Sequence, residues 1–197
     1  MVLMRHATAV AALAIALVLS ACAPSPSALP SPARVPSLRL VDTAGGSTTT
    51  PEDLSRAPVT VVVFYAENCP CFRVHEDRLR ELAQAYADRG LRLIIVDSEV
   101  SATAERDARK AAERGLPAIV LDPGAKLADA LGADYATYTV VLDAQGRVRY
   151  RGGIDSDKER LHDDADAYVR NAVEDLLAGR QPRTTEGKAL GCALQKR

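Results

Sequence analysis

Two hydrophobic patterns alternate along this chain: short unbroken apolar runs, and longer stretches with apolar residues at helical spacing. Val59-Thr-Val-Val-Val-Phe-Tyr65 is a β-branched and aromatic run, as expected of a strand buried on both faces. Residues 70–89 follow as a predicted helix. Phe72, Leu79, Leu82, Ala83 and Tyr86 fall near helical spacing, with Arg73, Glu76, Arg80 and Glu81 on the other side. Gly90 ends it. Residues 91–96 read as a second buried strand, and Ala104–Arg114 as a polar, Ala-rich helix stopped by Gly115. Two further strands are predicted over 117–121 and 139–142, with a short helix over 125–131 between them. Asp143-Ala144-Gln145-Gly146 is a turn, 148–150 returns as the last strand, and 158–177 is the final helix before Gly179. Strands alternating with helices predict an α/β fold, and the closing hairpin makes its central sheet mixed.

The amino terminus follows a different rule. Arg5 and His6 lead into an apolar stretch over 7–19 that only Thr8 interrupts, too short for a comfortable membrane span. It ends in Leu19-Ser20-Ala21-Cys22, which resembles the bacterial lipobox, where the cysteine is lipidated and the signal is cut just before it. Residues 1–21 are therefore expected to be a lipoprotein signal peptide and Cys22 the lipidation site. The bland alternative is an ordinary secretory signal with Ala-x-Ala cleavage nearby. Pro24, Pro26, Pro30, Pro32 and Pro36, spaced by Ser and Ala, make 22–37 an extended, semi-rigid tether. The expectation is a domain over 38–180, a tail over 181–197, and a lipid that anchors both to a membrane of the bacterial envelope, facing the periplasm.

Charge and composition remove some functions. Lys+Arg total 25 and Asp+Glu 26, so nothing electrostatic calls for a nucleic-acid partner. Aromatics are only 4% with no Trp, which argues against an aromatic platform for bases or sugars. No cofactor motif is present: Gly152-Gly153 reads as a flexible turn, not a phosphate cradle. Asp163, Asp164 and Asp166 read as a solvated helix face, and His162 beside them is too little for a metal site. Asp97 and Glu99, at the end of the second buried strand, either accept protons or cap the next helix.

The cysteines carry the candidate chemistry. With Cys22 taken by lipid, Cys69, Cys71 and Cys192 remain, an odd number for an oxidising compartment. Cys69 stands just before a predicted helix, with Pro70 suited to the first turn. Helix amides and dipole directed at that sulfur would favour negative charge there, which makes Cys69 the candidate nucleophile. His75 lies four residues beyond Cys71, on one helix face with it. Imidazole and thiol can then meet, so that His75 holds Cys71 as thiolate, shuttles its proton or joins it in a metal site. The alternative is a His on a partly exposed face. A disulfide between Cys69 and Cys71 would close a ring around one Pro and be strained and comparatively oxidising.

Phe64-Tyr65-Ala66-Glu67-Asn68-Cys69 is similar to the strand-to-active-site segment of thioredoxins. The later run resembles redoxin domains of the alkyl hydroperoxide reductase/thiol-specific antioxidant superfamily. It comprises Leu121-Asp122-Pro123-Gly124, Leu131-Gly132, Val140-Val141-Leu142-Asp143-Ala144-Gln145-Gly146-Arg147 and Tyr150-Arg151-Gly152. Gly191-Cys192-Ala193-Leu194 resembles the tail of a redoxin subgroup that ends in Gly-Cys. The resemblance implies a thioredoxin-like fold and thiol–disulfide oxidoreductase activity toward a protein or small-molecule disulfide. In such tails the Cys looks like a resolving or locking partner, which would make Cys192 the partner of Cys69 or Cys71; a static staple is the plain alternative.

Departures from the family pattern are specific. One residue, Pro70, separates the cysteines where thioredoxins have two, and Phe72 stands in place of their second Cys. Val63 replaces their buried Asp and Thr137 their facing Pro, while Val62 and Ala66 replace the Pro and Thr of the peroxiredoxin motif. Peroxidase activity is therefore not expected. Two other readings stay open: a Cu(I)-handling lipoprotein using Cys69, Cys71 and His75 or Cys192, and a binding protein that keeps the fold without turnover.

Overall fold

The computed structural model describes residues 35–44, 48–49, 51–54 and 56–197. The predicted signal peptide, Cys22 and residues 22–34 of the tether lie outside them.

All seven residues of Val59–Tyr65 (β3) are buried, because this strand has partners on both edges and helices on both faces. It pairs in parallel with Leu91–Asp97 (β4) and antiparallel with Thr139–Asp143 (β6). A parallel pairing needs a crossover, and Pro70–Tyr86 (α2) supplies it. Ala104–Arg114 (α3) does the same between β4 and Ile119–Leu121 (β5). Val148–Gly152 (β7) returns on β6 as a hairpin. The turn is held by the Asp143 carboxylate, which accepts from the amides of Gln145 (2.9 Å) and Arg147 (3.0 Å). Leu40–Asp42 (β1), Thr48–Thr49 (β2) and the short Pro51–Leu54 (α1) complete the amino-terminal edge. The sheet order is β2-β1-β5-β4-β3-β6-β7, mixed as the sequence predicts. Lys126–Leu131 (α4) and Tyr168–Leu177 (α5) are the remaining helices.

Three expectations need correction. The last helix begins at Tyr168, not at 158. Residues 155–167 instead fold as a loop around carboxylates: Asp155 accepts from the Asp157 amide (2.8 Å), and Asp157 from that of His162 (2.8 Å). Ser156 and Asp166 close it with two further bonds. Local side-chain bonds of this kind compete with the helix for its amides. The acidic cluster therefore lies in a loop or just before α5, not on a helix face. Second, Glu76 is buried despite its place in the polar stripe of α2, because Arg114 of α3 forms an ion pair with it.

Gly152-Gly153 is the third. Both are buried, and the carboxy-terminal tail passes directly over them. A Cβ on Gly152 would overlap the Gly187 carbonyl, and one on Gly153 would come within 2.5 Å of the Lys188 carbonyl. The pair is a landing strip for the tail. Arg151 donates to Thr185 (3.1 Å) and accepts from Gly187 (3.0 Å), so the tail runs alongside β7 toward the start of α2.

A three-thiol candidate site at the start of helix α2

Cys69 is the N-cap residue of α2 and Pro70 its first helical residue. This follows locally from sequence: Pro suits the first turn, where no amide is needed, and β3 ends four residues earlier. Cys69 and Cys71 are both buried at 1% exposure, and Cys192 is half-buried. The three sulfur atoms lie within 4.8 Å of one another.

The amide aimed at Cys69 is not one of the α2 amides. Cys69 makes no side-chain capping bond; instead the Cys192 amide donates to its Sγ at 3.4 Å. The tail is pinned to deliver it. Ala136 donates to the Cys192 carbonyl (2.8 Å) and Leu194 to the Asp134 carbonyl (2.9 Å), around an antiparallel bridge between Tyr135 and Ala193. Gln195 and Val100 add a bond of 2.8 Å on the other flank. Glycine is required at 191, where a Cβ would overlap the Ala136 carbonyl. Thr137, at the position of the family's facing Pro, has φ +75°, and its amide donates to Phe64 (2.9 Å). Its buried hydroxyl makes no hydrogen bond among the described residues.

His75 is not part of the sulfur cluster. Its Nδ1 meets the Cys71 carbonyl at 2.6 Å and its Nε2 meets Asp155 Oδ1 at 3.0 Å. The i,i+4 spacing does bring the ring back to Cys71, but to its backbone and not its thiol. With 1% exposure, it is also far from the partly exposed His that was the alternative. Asp97 caps no helix: it ion-pairs with Arg106 of α3 at 2.6 Å, while Thr103 caps that helix. Arg106 also reaches Glu67 at 3.6 Å, just before Cys69.

The Redoxin family model matches residues 30–169 of the chain. The chain belongs to the Redoxin family. Its fold is correspondingly close to solved structures. An uncharacterized conserved protein from Geobacillus kaustophilus is 22% identical, with TM-score 0.75 over 82% of this chain and 89% of that one. A hypothetical protein from Sinorhizobium meliloti 1021 is 25% identical, with TM-score 0.71 over 82% and 92%. The thioredoxin domain of a thiol-disulfide oxidoreductase from Bacteroides vulgatus is 18% identical, with TM-score 0.53 over 73% and 95%. No curated protein matches.

In this redoxin the electrostatics separate the thiols from a charged network behind them. Burial and the neighbouring Cys69 sulfur push the Cys71 thiol up. Burial and the hydrogen bond with Cys69 push Cys192 to about 12. Behind α2, Asp155 is shared by His75 and Arg78 (2.6 Å), and Asp157 by Arg78 (2.9 Å) and His162 (2.7 Å). Sequence reading missed Asp155 and Asp157, whose alternation in Asp155-Ser156-Asp157 was the available signal. A predicted helix beginning at 158 put them outside any site.

The network makes a pH prediction. Burial alone would lower His75, but the Asp155 hydrogen bond and the Cys71 carbonyl outweigh it and hold the ring above its ordinary 6.5. Both neighbours are oxygen acceptors, which favours the protonated ring. Burial would raise Asp155, yet the bonds from His75 and Arg78 hold it below the usual carboxylate range. A raised His contributes stability that is complete below 6.5 and is lost as pH rises through its folded value. The wild-type melting temperature is expected to fall over that interval more than that of His75→Gln. Parallel curves for the two proteins from pH 6 to 9 would remove His75 from the account.

Proposed function

We propose that this redoxin is a thiol–disulfide oxidoreductase of the bacterial envelope, anchored through lipid on Cys22. Cys69 is its nucleophile and Cys192 its resolving thiol. The observation that carries the reading is the convergence of three sulfurs, within 4.8 Å, at the N-terminus of α2. The solved thioredoxin-like neighbours, one a domain of a thiol-disulfide oxidoreductase, are consistent with it.

The chemistry runs in two displacements. The Cys69 thiolate attacks a substrate disulfide, forming a Cys69–substrate bond and releasing the other substrate sulfur as thiolate. The Cys192 sulfur, after losing its proton, then attacks Cys69 and expels the second substrate thiolate. Two electrons pass from the protein dithiol to the substrate, leaving a Cys69–Cys192 disulfide; the reverse sequence oxidises a substrate dithiol. Partial positive charge from the α2 amino terminus and the Cys192 amide stands where negative charge builds on Cys69 in each transfer. Cys192 is preferred over Cys71 because it comes from a separate segment and closes no ring around Pro70.

The test is trapping. A protein with Cys71→Ser and Cys192→Ser is expected to accumulate a substrate-linked species that mass spectrometry assigns to Cys69. Adding Cys69→Ser should abolish it. If all three thiols of the reduced wild type stay free under mild oxidant, the reading fails.

A further inference from the structure

We propose that Cys69, Cys71 and Cys192 also form a three-coordinate site for Cu(I), with His75 outside the coordination sphere. The donors are three sulfurs from two segments 121 or more positions apart in sequence, brought within 4.8 Å of one another. A metal held by three thiolates at about 2.3 Å places them about 4 Å apart, so closing the triangle needs movements of under about 1 Å. Two of the donors sit at the first turn of a 17-residue helix, and the third on a tail segment pinned at Ala136 and Asp134. The site is thus built before the ion arrives.

The donor set selects the ion. Thiolate sulfur suits soft Cu(I), which accepts three ligands, whereas structural Zn(II) sites want four. Both His75 nitrogens are already engaged, at 2.6 and 3.0 Å, so its imidazole is not available to complete a tetrahedron. A carboxylate also stands nearby, that of Glu159, whose Oε1 is 3.8 Å from Cys71 Sγ. Its side chain is 56% exposed and paired with Lys158, a poor start for a fourth ligand. Lys158, near enough to interact with the charges of Cys71 and Cys192, supplies positive charge beside the anionic cluster. On binding, three S–H protons leave to solvent and three S–Cu bonds form; no electrons move. The same sulfurs serve exchange and metal, so bound Cu(I) excludes disulfide chemistry.

The experiment is an anaerobic titration of the reduced, metal-free full chain with Cu(I) against a coloured Cu(I) chelator, followed by X-ray absorption of the loaded protein. One Cu(I) per chain and three sulfur neighbours are expected. Cys192→Ala should weaken retention by more than the about 10–100-fold that loss of an outer-shell partner costs. His75→Gln and Glu159→Gln should leave stoichiometry and coordination unchanged. Two sulfur neighbours, wild-type retention by Cys192→Ala, or preference for Zn(II) through Glu159 would overturn the site. Coordination of the wild type decides the question even if Cys192→Ala fails to fold. Exchange turnover of the metal-free chain is read separately, so a chain that turns over but binds no Cu(I) sinks this proposal alone.

Discussion

Replacing Cys69 by Ser is expected to reduce disulfide exchange to its uncatalysed rate, a loss of at least about 10³-fold or about 4 kcal/mol of transition-state stabilisation. Thiolate is the attacking species, and a serine hydroxyl does not ionise near neutral pH. The substitution is nearly isosteric, and Ser can still accept from the Cys192 amide that now reaches the sulfur at 3.4 Å. Folding should therefore survive, and the loss reports chemistry. Cys71→Ser is the informative companion. If Cys192 resolves the intermediate, this variant keeps most of its turnover, because Cys71 makes neither bond in the cycle. Initial rates with a small aromatic disulfide check both. A Cys69→Ser protein retaining a tenth of wild-type activity would move the nucleophile elsewhere.

The second large effect is expected far from any reactive atom. Gly191→Ala adds one carbon, but that carbon would overlap the Ala136 carbonyl and come within 3.0 Å of Thr137 Oγ1. Neither is the far end of a flexible side chain, so the tail has to give. Overpacking of this kind costs about 1–3 kcal/mol. The tail has a cheaper response than bearing that strain, since it can release the Ala136–Cys192 and Asp134–Leu194 bonds. Cys192 then leaves Cys69. The Cys69–Cys192 disulfide should become a minor species in the oxidised protein, and substrate-linked Cys69 should accumulate during turnover. Peptide mapping of the oxidised chain measures this directly. An unchanged disulfide map would show that the tail closes without the Gly191 contact.

Much of the frame was legible because its signals are local. The β-branched and aromatic run Val59–Tyr65 reads as a strand buried on both faces, and Pro70 after Cys69 marks a helix start. Helices stopped at Gly90, Gly115 and Gly179 for the same local reason, each glycine having positive φ. The errors came where side chains, not periodicity, decided the backbone. Residues 158–167 are compatible with a helix, but the side chains of Asp155, Ser156 and Asp157 bind the backbone first. Glu76 reads as solvent-facing until Arg114 is seen to stand over it.

The sequence by itself determined an α/β redoxin fold and a helix that opens at Cys69, and it left Cys192 open between an exchange partner and a static staple. Spacing along a strand or helix encodes those statements, and spacing is visible in one dimension. Only the tertiary structure decided who meets whom. It brought Cys192 to Cys69 across 123 positions, and it turned His75 to the Cys71 carbonyl and Asp155 instead of a thiol. Such meetings depend on side-chain direction and on where a long chain closes. Both are settled by packing, including the missing Cβ atoms of Gly152 and Gly191 that let the tail lie down.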